Sequence, residues 1–467
     1  LAVVLAGCSQ APAEVTPILD MPPTGSEANP FDGLDELQIS VAPDGDSTAL
    51  IERTVAFSEP LTLSEIPFGD DLVIHLSGLA GGVEVSYGRS CPFDVGVDGA
   101  LIAEPHIYFS RIVKWGPAPL PGEPTRIDGH AYALPDGSAL FGGGANLGSI
   151  ERFDPLGTGA FRTLDAELTP RTGSVLAPLA DGRALIIGGI DVSDAVPLVE
   201  VLSPERGLAV ESIDGPRLVE HAAATLVDGR VLATGGKTQS QDGAPFEVTG
   251  DAWSFRFGAG DVLEAPRQLP ISLNIPRSQH SMTRLGDEVG ADVLIVGGRD
   301  AAGLPVAAAE LYRPLRESFE TLPSATLNIP RWGHEAIRLP GGFILIVGGF
   351  APDLMGDPAR VPDLELYDPV QGRFNLAGVL PLSAGLTDFT VSPLPDGRVL
   401  LAGGRDRDGD PVSTVLIARL DPINGQVDIS VTNALEEPRA GHGAVLLCDG
   451  TVLISGGTGD ADRAAER

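Results

Sequence analysis

The chain has 467 residues, 43% of them hydrophobic, and a formal charge of −33. That length suits about two to four ordinary domains, or one large repeat domain with a small companion. No run approaches the roughly 18–20 apolar residues of a spanning helix. The charge excludes nucleic acid as an expected partner, since such binding rests on Lys and Arg neutralising phosphates, and it argues against adsorption to anionic lipid through a basic patch.

The 59 glycines and 40 prolines recur at regular intervals beside aliphatic and β-branched runs, the composition of many turns joining many short strands. No window of a dozen residues free of Gly and Pro carries helical periodicity. The expected class is all-β.

The chain opens "LAVVLAGCSQAPAEVTP" without an initiator Met, so it is read as a fragment at this end, with residues 1–8 the end of a signal peptide. Leu5-Ala6-Gly7-Cys8 resembles the bacterial lipobox, in which the cysteine is acylated and becomes the mature N-terminus. Ser9 after the cysteine, by resemblance to Gram-negative lipoproteins, implies sorting to the outer membrane of the cell envelope, with membrane contact through the lipid anchor only. Residues 9–35, rich in Pro, Ser and acidic groups, are expected to be a flexible tether. Residues 36–113 hold strand-like runs such as "LQISVA" and "DLVIHLSGLA" split by turn residues, which reads as a small antiparallel β-sandwich.

From 114 to 467 the sequence repeats itself. Gly-Gly pairs stand at Gly143-Gly144, Gly188-Gly189, Gly235-Gly236, Gly297-Gly298, Gly348-Gly349, Gly403-Gly404 and Gly456-Gly457, a period near 50 that points to four-stranded propeller blades. An apolar strand runs into Asp-Gly, as at Asp136-Gly137 and Asp396-Gly397, and a second strand follows at once. This reads as a two-residue hairpin turn whose Gly accepts positive φ. The paired glycines close that second strand where blades crowd and a missing Cβ permits close approach. Then come Glu, an aromatic residue and a Pro-bearing turn, as in "ERFDPLGTGAF" and "ELYDPVQGRF", with Phe153, Tyr312 and Tyr367 expected to start the third strand and Phe161, Phe319 and Phe374 to pack on the fourth.

These features, with the Arg-x-x-His before the hairpin, resemble the kelch repeat, over about three quarters of the chain. The segment after Gly236, with Trp253 and a longer loop, departs from the pattern. The resemblance implies a β-propeller of about seven blades and says little about function. The last blade is expected to be incomplete, since "GGTGDADRAAER" stops where the next strand begins. Ring closure is left between a missing C-terminal strand and an outer strand supplied by residues 106–115.

His130, His221, His280, His334 and His442 recur at one place in the repeat, His130 offset by one residue, while Ser174 and Phe389 occupy it in two blades. Equivalent positions lie on a ring, one per blade, whereas zinc needs its ligands converging on a point. The histidines and paired glycines are therefore read as structural, each His bonding the backbone of a neighbouring blade and its Arg a carbonyl or carboxylate, with no metal or other cofactor expected. Cys91 and Cys448 could pair in an oxidising envelope, though nothing in the sequence brings them together. Asp406, Asp408 and Asp410 resemble the start of a calcium loop but lack its distal Glu, so a solvated turn is expected.

No catalytic motif stands in a fitting context. Kelch-like copper radical oxidases need a Tyr cross-linked to Cys, and Tyr132, Tyr312, Tyr367 and Cys448 are poor material for it. The expected function is a non-enzymatic scaffold binding a glycan or an envelope or extracellular protein through loops such as 236–252 and 299–307. A sugar-processing enzyme resembling the kelch-like sialic acid mutarotases and a ligand-free spacer are the alternatives.

Overall fold

A computed structural model describes residues 13–22, 28–45, 48–56, 59, 61–96, 104–112, 114–123, 125–145, 147–155, 159–203, 209–381, 384–458 and 465–467. Cys8 lies outside them. Seven successive sheets make up the repeat region, and their first strands are His130–Ala133, Val175–Pro178, Ala222–Thr225, Ser281–Arg284, Glu335–Arg338, Thr390–Pro393 and Gly443–Leu446. We number the blades 1 to 7 in that order. In blades 1 to 6 four antiparallel strands follow in sequence order, and the first strands of neighbouring blades touch, so they line a central channel.

The second strand of every blade is buried along its whole length, as in Ile344–Val347 and Val293–Val296. It is covered on both faces by neighbouring blades, so it reads as a continuous apolar run rather than an alternation. Each such Ile or Leu contributes about 1.5–3 kcal/mol by burial. The hairpins before these strands are one residue longer than the two-residue turn expected from Asp-Gly. Gly137 N–H donates to Leu134 C=O and Leu134 N–H to Ser138 C=O, a β-turn followed by Gly137 at φ 84°, which is the three-residue hairpin with a glycine bulge. The Asp belongs there because its carboxylate accepts the N–H two residues on, as Asp136 does from Ser138 and Asp396 from Arg398.

Blade 7 agrees with the expected incomplete last unit: its sheet has three strands among the described residues. Its third strand, Ala465–Glu466, is flanked by residues 116–118, with Arg467 N–H on Gly116 C=O at 3.0 Å and Ala118 N–H on Ala465 C=O at 3.1 Å. The ring is thus closed by chain from the other end, just after the 106–115 segment that was one of the two options. Phe141 and Phe153 of blade 1 pack with Val445 and Leu453 of blade 7 in one cluster. The aromatic pairs form across strands three and four, Tyr312 on Phe319 and Tyr367 on Phe374, both at 5.1 Å. Phe153, Tyr312 and Tyr367 sit toward the end of the third strand, not at its start, because the preceding Glu lies inside it.

Ahead of the propeller, Glu36–Pro43, Gly69–Ala80 and Val83–Arg89 form the centre of an antiparallel sheet. Two short strands inside the stretch expected as tether join this unit: Ala13–Val15 pairs with Leu63–Ile66, and Ile18–Asp20 lies parallel to His106–Tyr108. Alternation is the reason, since Ala13 and Val15 are buried in the core with Ile39, Ile74 and Phe109 while Glu14 points out. The unit sits on the hairpin face of the propeller. Cys91 is disulfide-bonded to Cys448 in the blade 7 hairpin, Cα to Cα 4.8 Å, and the Arg467 guanidinium lies 3.8 Å from the Tyr108 ring centre. The opposite face, where the Gly-Gly pairs end and the long loops begin, is turned away from it.

Candidate binding face and channel mouth

Below that loop face five of the seven blades carry a buried ion pair. Arg331 and Glu365 are both fully buried, 3.1 Å apart, and Arg331 also donates to the carbonyls of Ile329, Gly348 and Asp363. Glu365 accepts the N–H groups of Asn328 and Ile329. Arg277 and Glu310, Arg439 and Glu466, Arg126 and Glu151, and Arg171 and Glu200 repeat the arrangement. Burial pulls the Arg277 and Arg331 guanidinium pKa values down, and the paired carboxylate opposes this. Blades 3 and 6 lack the pair: Trp253 and Leu416 take the Glu register position, and in blade 3 this is part of the repeat's departure from the pattern. Sequence reading took these glutamates as landmarks and missed that they hold the arginines.

The histidines act where blades meet. We call the residue just before each first strand the capping position and the strand's first residue the opening position. His334 and His442 cap blades 5 and 7, with Nε2 2.9 Å from the hydroxyls of Ser281 and Thr390 at the opening positions of the preceding blades. At the junction of blades 1 and 2 the roles are exchanged, His130 opening and Ser174 capping, 2.8 Å apart. His280 faces Ala222, which has no hydroxyl, and meets Thr234 beside it at 3.1 Å. His221 faces Val175 and neither ring nitrogen has a partner among the described residues. The bonds therefore run to side-chain hydroxyls, not to backbone as expected. Burial pushes the imidazole pKa values down, to about 4 for His130 and His221 and about 3 for His334 and His442.

The Gly-Gly pairs make room for these rings. A Cβ on Gly297 would lie 2.6 Å from His334 Cε1 and 2.5 Å from the Arg331 carbonyl, and one on Gly349 2.9 Å from the His334 Cβ. The pairs ending blades 2 to 6 each stand between their own blade's capping residue and the next blade's, with left-handed φ at both glycines. Among the described residues no three His, Cys, Asp or Glu side chains group as a metal would need. Cys448, engaged in the disulfide, is not free to cross-link a tyrosine.

Above the capping ring, the residue before it is left-handed in every blade: Asp128, Gly173, Glu220, Gln279, Gly333, Asp388 and Gly441, with φ from 52° to 66°. Side chains rarely adopt this conformation, yet four of the seven are not glycine. Backbone hydrogen bonds link the ring from blade to blade, Gln279 to Glu220, Gly333 to Gln279, Gly441 to Asp388 and Asp128 to Gly441. At this mouth Asp388 pairs with Arg405 at 3.0 Å and Glu220 with Lys237 at 2.9 Å. Burial, and then the nearby Asp388, raise the Asp128 pKa.

Just below lies Glu335, at the opening position of blade 5. His334 turns toward blade 4, so strand alternation turns Glu335 toward blade 6, where the capping residue is Phe389 instead of His. Its carboxylate makes no hydrogen bond or ion pair among the described residues. It is exposed to solvent in the channel yet crowded by the wall, and this crowding alone pushes its pKa up to about 7.

Farther out, three loops share one design. Asp300, Asp353 and Asp406 each use one carboxylate oxygen to accept backbone N–H groups of their own turn, Asp406 from Asp408, Gly409 and Asp410 at 3.0 Å each. Of the three calcium-like aspartates, Asp406 is thus the turn-forming group. These rigid loops put apolar side chains outward, with Leu354 104% and Met355 85% exposed. Between blades 4 and 5 runs a column of stacked groups: Arg299 over Trp332 at 5.0 Å, Trp332 on Phe350 at 6.1 Å, and Arg360 over Phe350 at 5.3 Å. Neither Arg299 nor Arg360 has a carboxylate partner among the described residues. The long loop after Gly236 forms strands Lys237–Thr238 and Glu247–Val248 against Leu218–Val219.

No family model matches the chain. Over 133 residues, 27% of this chain, it is 32% identical to alpha-scruin of Limulus polyphemus, and over 130 residues 28% identical to beta-scruin of the same species. It spans 13% of the length of each of these curated relatives. Among solved structures, that of YjhT superposes with a TM-score of 0.51 at 14% identity, covering 67% of this chain and 99% of YjhT. With seven blades, paired glycines in left-handed conformation and these likenesses, the fold is a kelch-type β-propeller.

Proposed function

We propose that the propeller is a binding scaffold held at the cell envelope, and that its loop face receives a glycan or an envelope or extracellular protein without carrying out chemistry on it. The observation that carries this reading is the column of Arg299, Trp332, Phe350 and Arg360. Two guanidinium groups are fixed by stacking and left without carboxylates, in a chain with a net charge of −33. Such groups are pre-organised for carboxylates or other planar acceptors. Exposed Leu354 and Met355 on a rigid turn add apolar contact of the kind enriched at interfaces. Outer-membrane anchoring through Cys8 belongs to the same proposal, supported by the lipobox-like Leu5-Ala6-Gly7-Cys8. The double variant R299A/R360A is expected to weaken partner binding at least tenfold with unchanged unfolding, and unchanged binding would refute the assignment.

A second reading, an envelope sugar-processing enzyme, is favoured by the channel mouth, which collects Asp128, Glu220 with Lys237, and Asp388 with Arg405 around one opening. Turnover of a sugar by the purified chain, lost in D388N, would replace the first reading with this one.

A further inference from the structure

We propose that a cavity between the N-terminal unit and blades 6 and 7 is a binding site for a small carboxylate with an apolar body, of the size of benzoate or hexanoate. None of the stacked loop-face groups lines it, and the inference does not rest on the loop-face reading.

The cavity follows from the way the ring closes. From blade 3 to blade 6 the fourth strands of neighbours touch, as Arg373–Val379 of blade 5 does Gln426–Val431 of blade 6. On its other side blade 6 meets blade 7, whose sheet has three strands among the described residues. The outer half of blade 6 is covered there by the end of the N-terminal unit instead, where Trp115 packs against the cluster of Leu400, Ile417 and Val452. The fit leaves a cavity of about 220 Å³ walled by Leu394, Leu400, Ile417, Val452, Tyr87 and Trp115. At about 30 Å³ per water molecule, that is room for roughly seven to nine non-hydrogen atoms.

The polar groups select the charge of the ligand. Arg111, Lys114, Arg398 and Arg467 line the cavity and no acidic residue does. Acidic residues outnumber basic ones 64 to 31 in the chain, so a wholly basic lining is not the average of this surface. Arg467 is already engaged, since it pairs with Asp449, donates to Thr451 and lies over Tyr108. The anchors are Arg111 and Arg398. Among the described residues, the Arg111 guanidinium donates to the Asp32 carbonyl and has no carboxylate partner, and Arg398 binds Asp396 through Nε alone. A guanidinium has five N–H groups, so both keep paired donors of the kind that suit a carboxylate. Thr432 Oγ1, also in the lining, is buried and has no hydrogen-bond partner among the described residues, which is costly unless a ligand atom reaches it. The apolar and aromatic walls disfavour a bare inorganic anion or a sugar, and the cationic donors disfavour an amine. A carboxylate carried on a ring or a short chain satisfies both.

The test is a ligand-observed NMR titration of the intact chain with benzoate and hexanoate, and with acetate, benzyl alcohol and hexylammonium as controls. Benzoate or hexanoate is expected to bind at least tenfold more tightly than any control. R111Q and R398Q are each expected to weaken that binding fivefold or more. Ile112→Trp enlarges a lining residue that is 36% exposed and is expected to block the cavity, with urea unfolding showing that each variant is folded. R299A/R360A is expected to leave binding unchanged, which separates failure of this cavity from failure of the loop face. Binding unaffected by all three cavity substitutions, a control bound as tightly as the two carboxylates, or no binding of either carboxylate would overturn the inference.

Discussion

Replacing His334 by Phe should lower stability at neutral pH and raise it in acid. The folded chain holds His334 neutral, with its pKa pushed down to about 3, chiefly by burial. The unfolded chain protonates this group near 6.5, so below that pH the unfolded state binds more protons and stability falls as pH falls. At pH 5 the difference is about 1.5 units, or about 2 kcal/mol at 1.36 kcal/mol per unit. Phe in its place removes this penalty but loses the Ser281 hydrogen bond, worth about 0.5–1.5 kcal/mol. Blade 6 shows that the ring fits, because Phe389 packs against Gly348 as His334 does against Gly297, with Cβ positions 2.7 and 2.6 Å from the rings. Wild-type and variant stabilities should therefore cross near pH ~5.8, where the two effects of about 1 kcal/mol are equal. Urea unfolding at pH 7.5 and pH 5.0 reads both values. A variant destabilised by the same amount at both pH values would refute the reasoning. The wild type should itself be acid-labile, since four histidines with such depressed pKa values together cost about 8 kcal/mol at pH 5, comparable to the whole stability of a typical domain.

Arg331→Met strands the fully buried Glu365 and three carbonyls, and should cost about 3–5 kcal/mol in denaturant unfolding. The double change with Glu365→Leu should recover only part, because the Asn328 and Ile329 N–H groups then lose their acceptor. Gly297→Ala combines a left-handed φ with a contact at 2.5 Å to backbone and should cost about 2–5 kcal/mol, whereas Gly303→Ala, also left-handed but with open space around it, should cost only about 1–2 kcal/mol. Removing the disulfide by C91S/C448S opens a closure 357 residues apart in sequence and should lower stability by up to about 6 kcal/mol on the chain-entropy scale. Limited proteolysis should then cut the N-terminal unit first.

Much of the fold is legible in the sequence because the repeat is written in backbone chemistry. In blades 2 to 6 the first glycine of each pair must be glycine, since a Cβ there would strike a carbonyl and the next blade's ring, and the Asp-Gly turns need both the carboxylate acceptor and a left-handed residue. What escaped reading depends on distant partners. Residues 116–118 flank the third strand of blade 7 through one bridge at Pro117 and backbone hydrogen bonds, and they show no periodic pattern. Ala13–Val15 hides in a Pro-rich stretch because three residues are too few to show alternation. The recurring Glu reveals its role only once Arg331 is seen to turn back onto it. The disulfide was open on sequence alone, since only the fold brings Cys91 beside the last hairpin.

The central claim, that a partner meets the loop face, is tested most directly by photo-cross-linking in cells. A photoreactive side chain is placed either at Leu354 on that face or at Val289, 71% exposed on the hairpin face. The account predicts adducts from position 354, reduced when Arg299 and Arg360 are replaced by alanine, and none from position 289. Adducts confined to position 289, or equal from both, would contradict it.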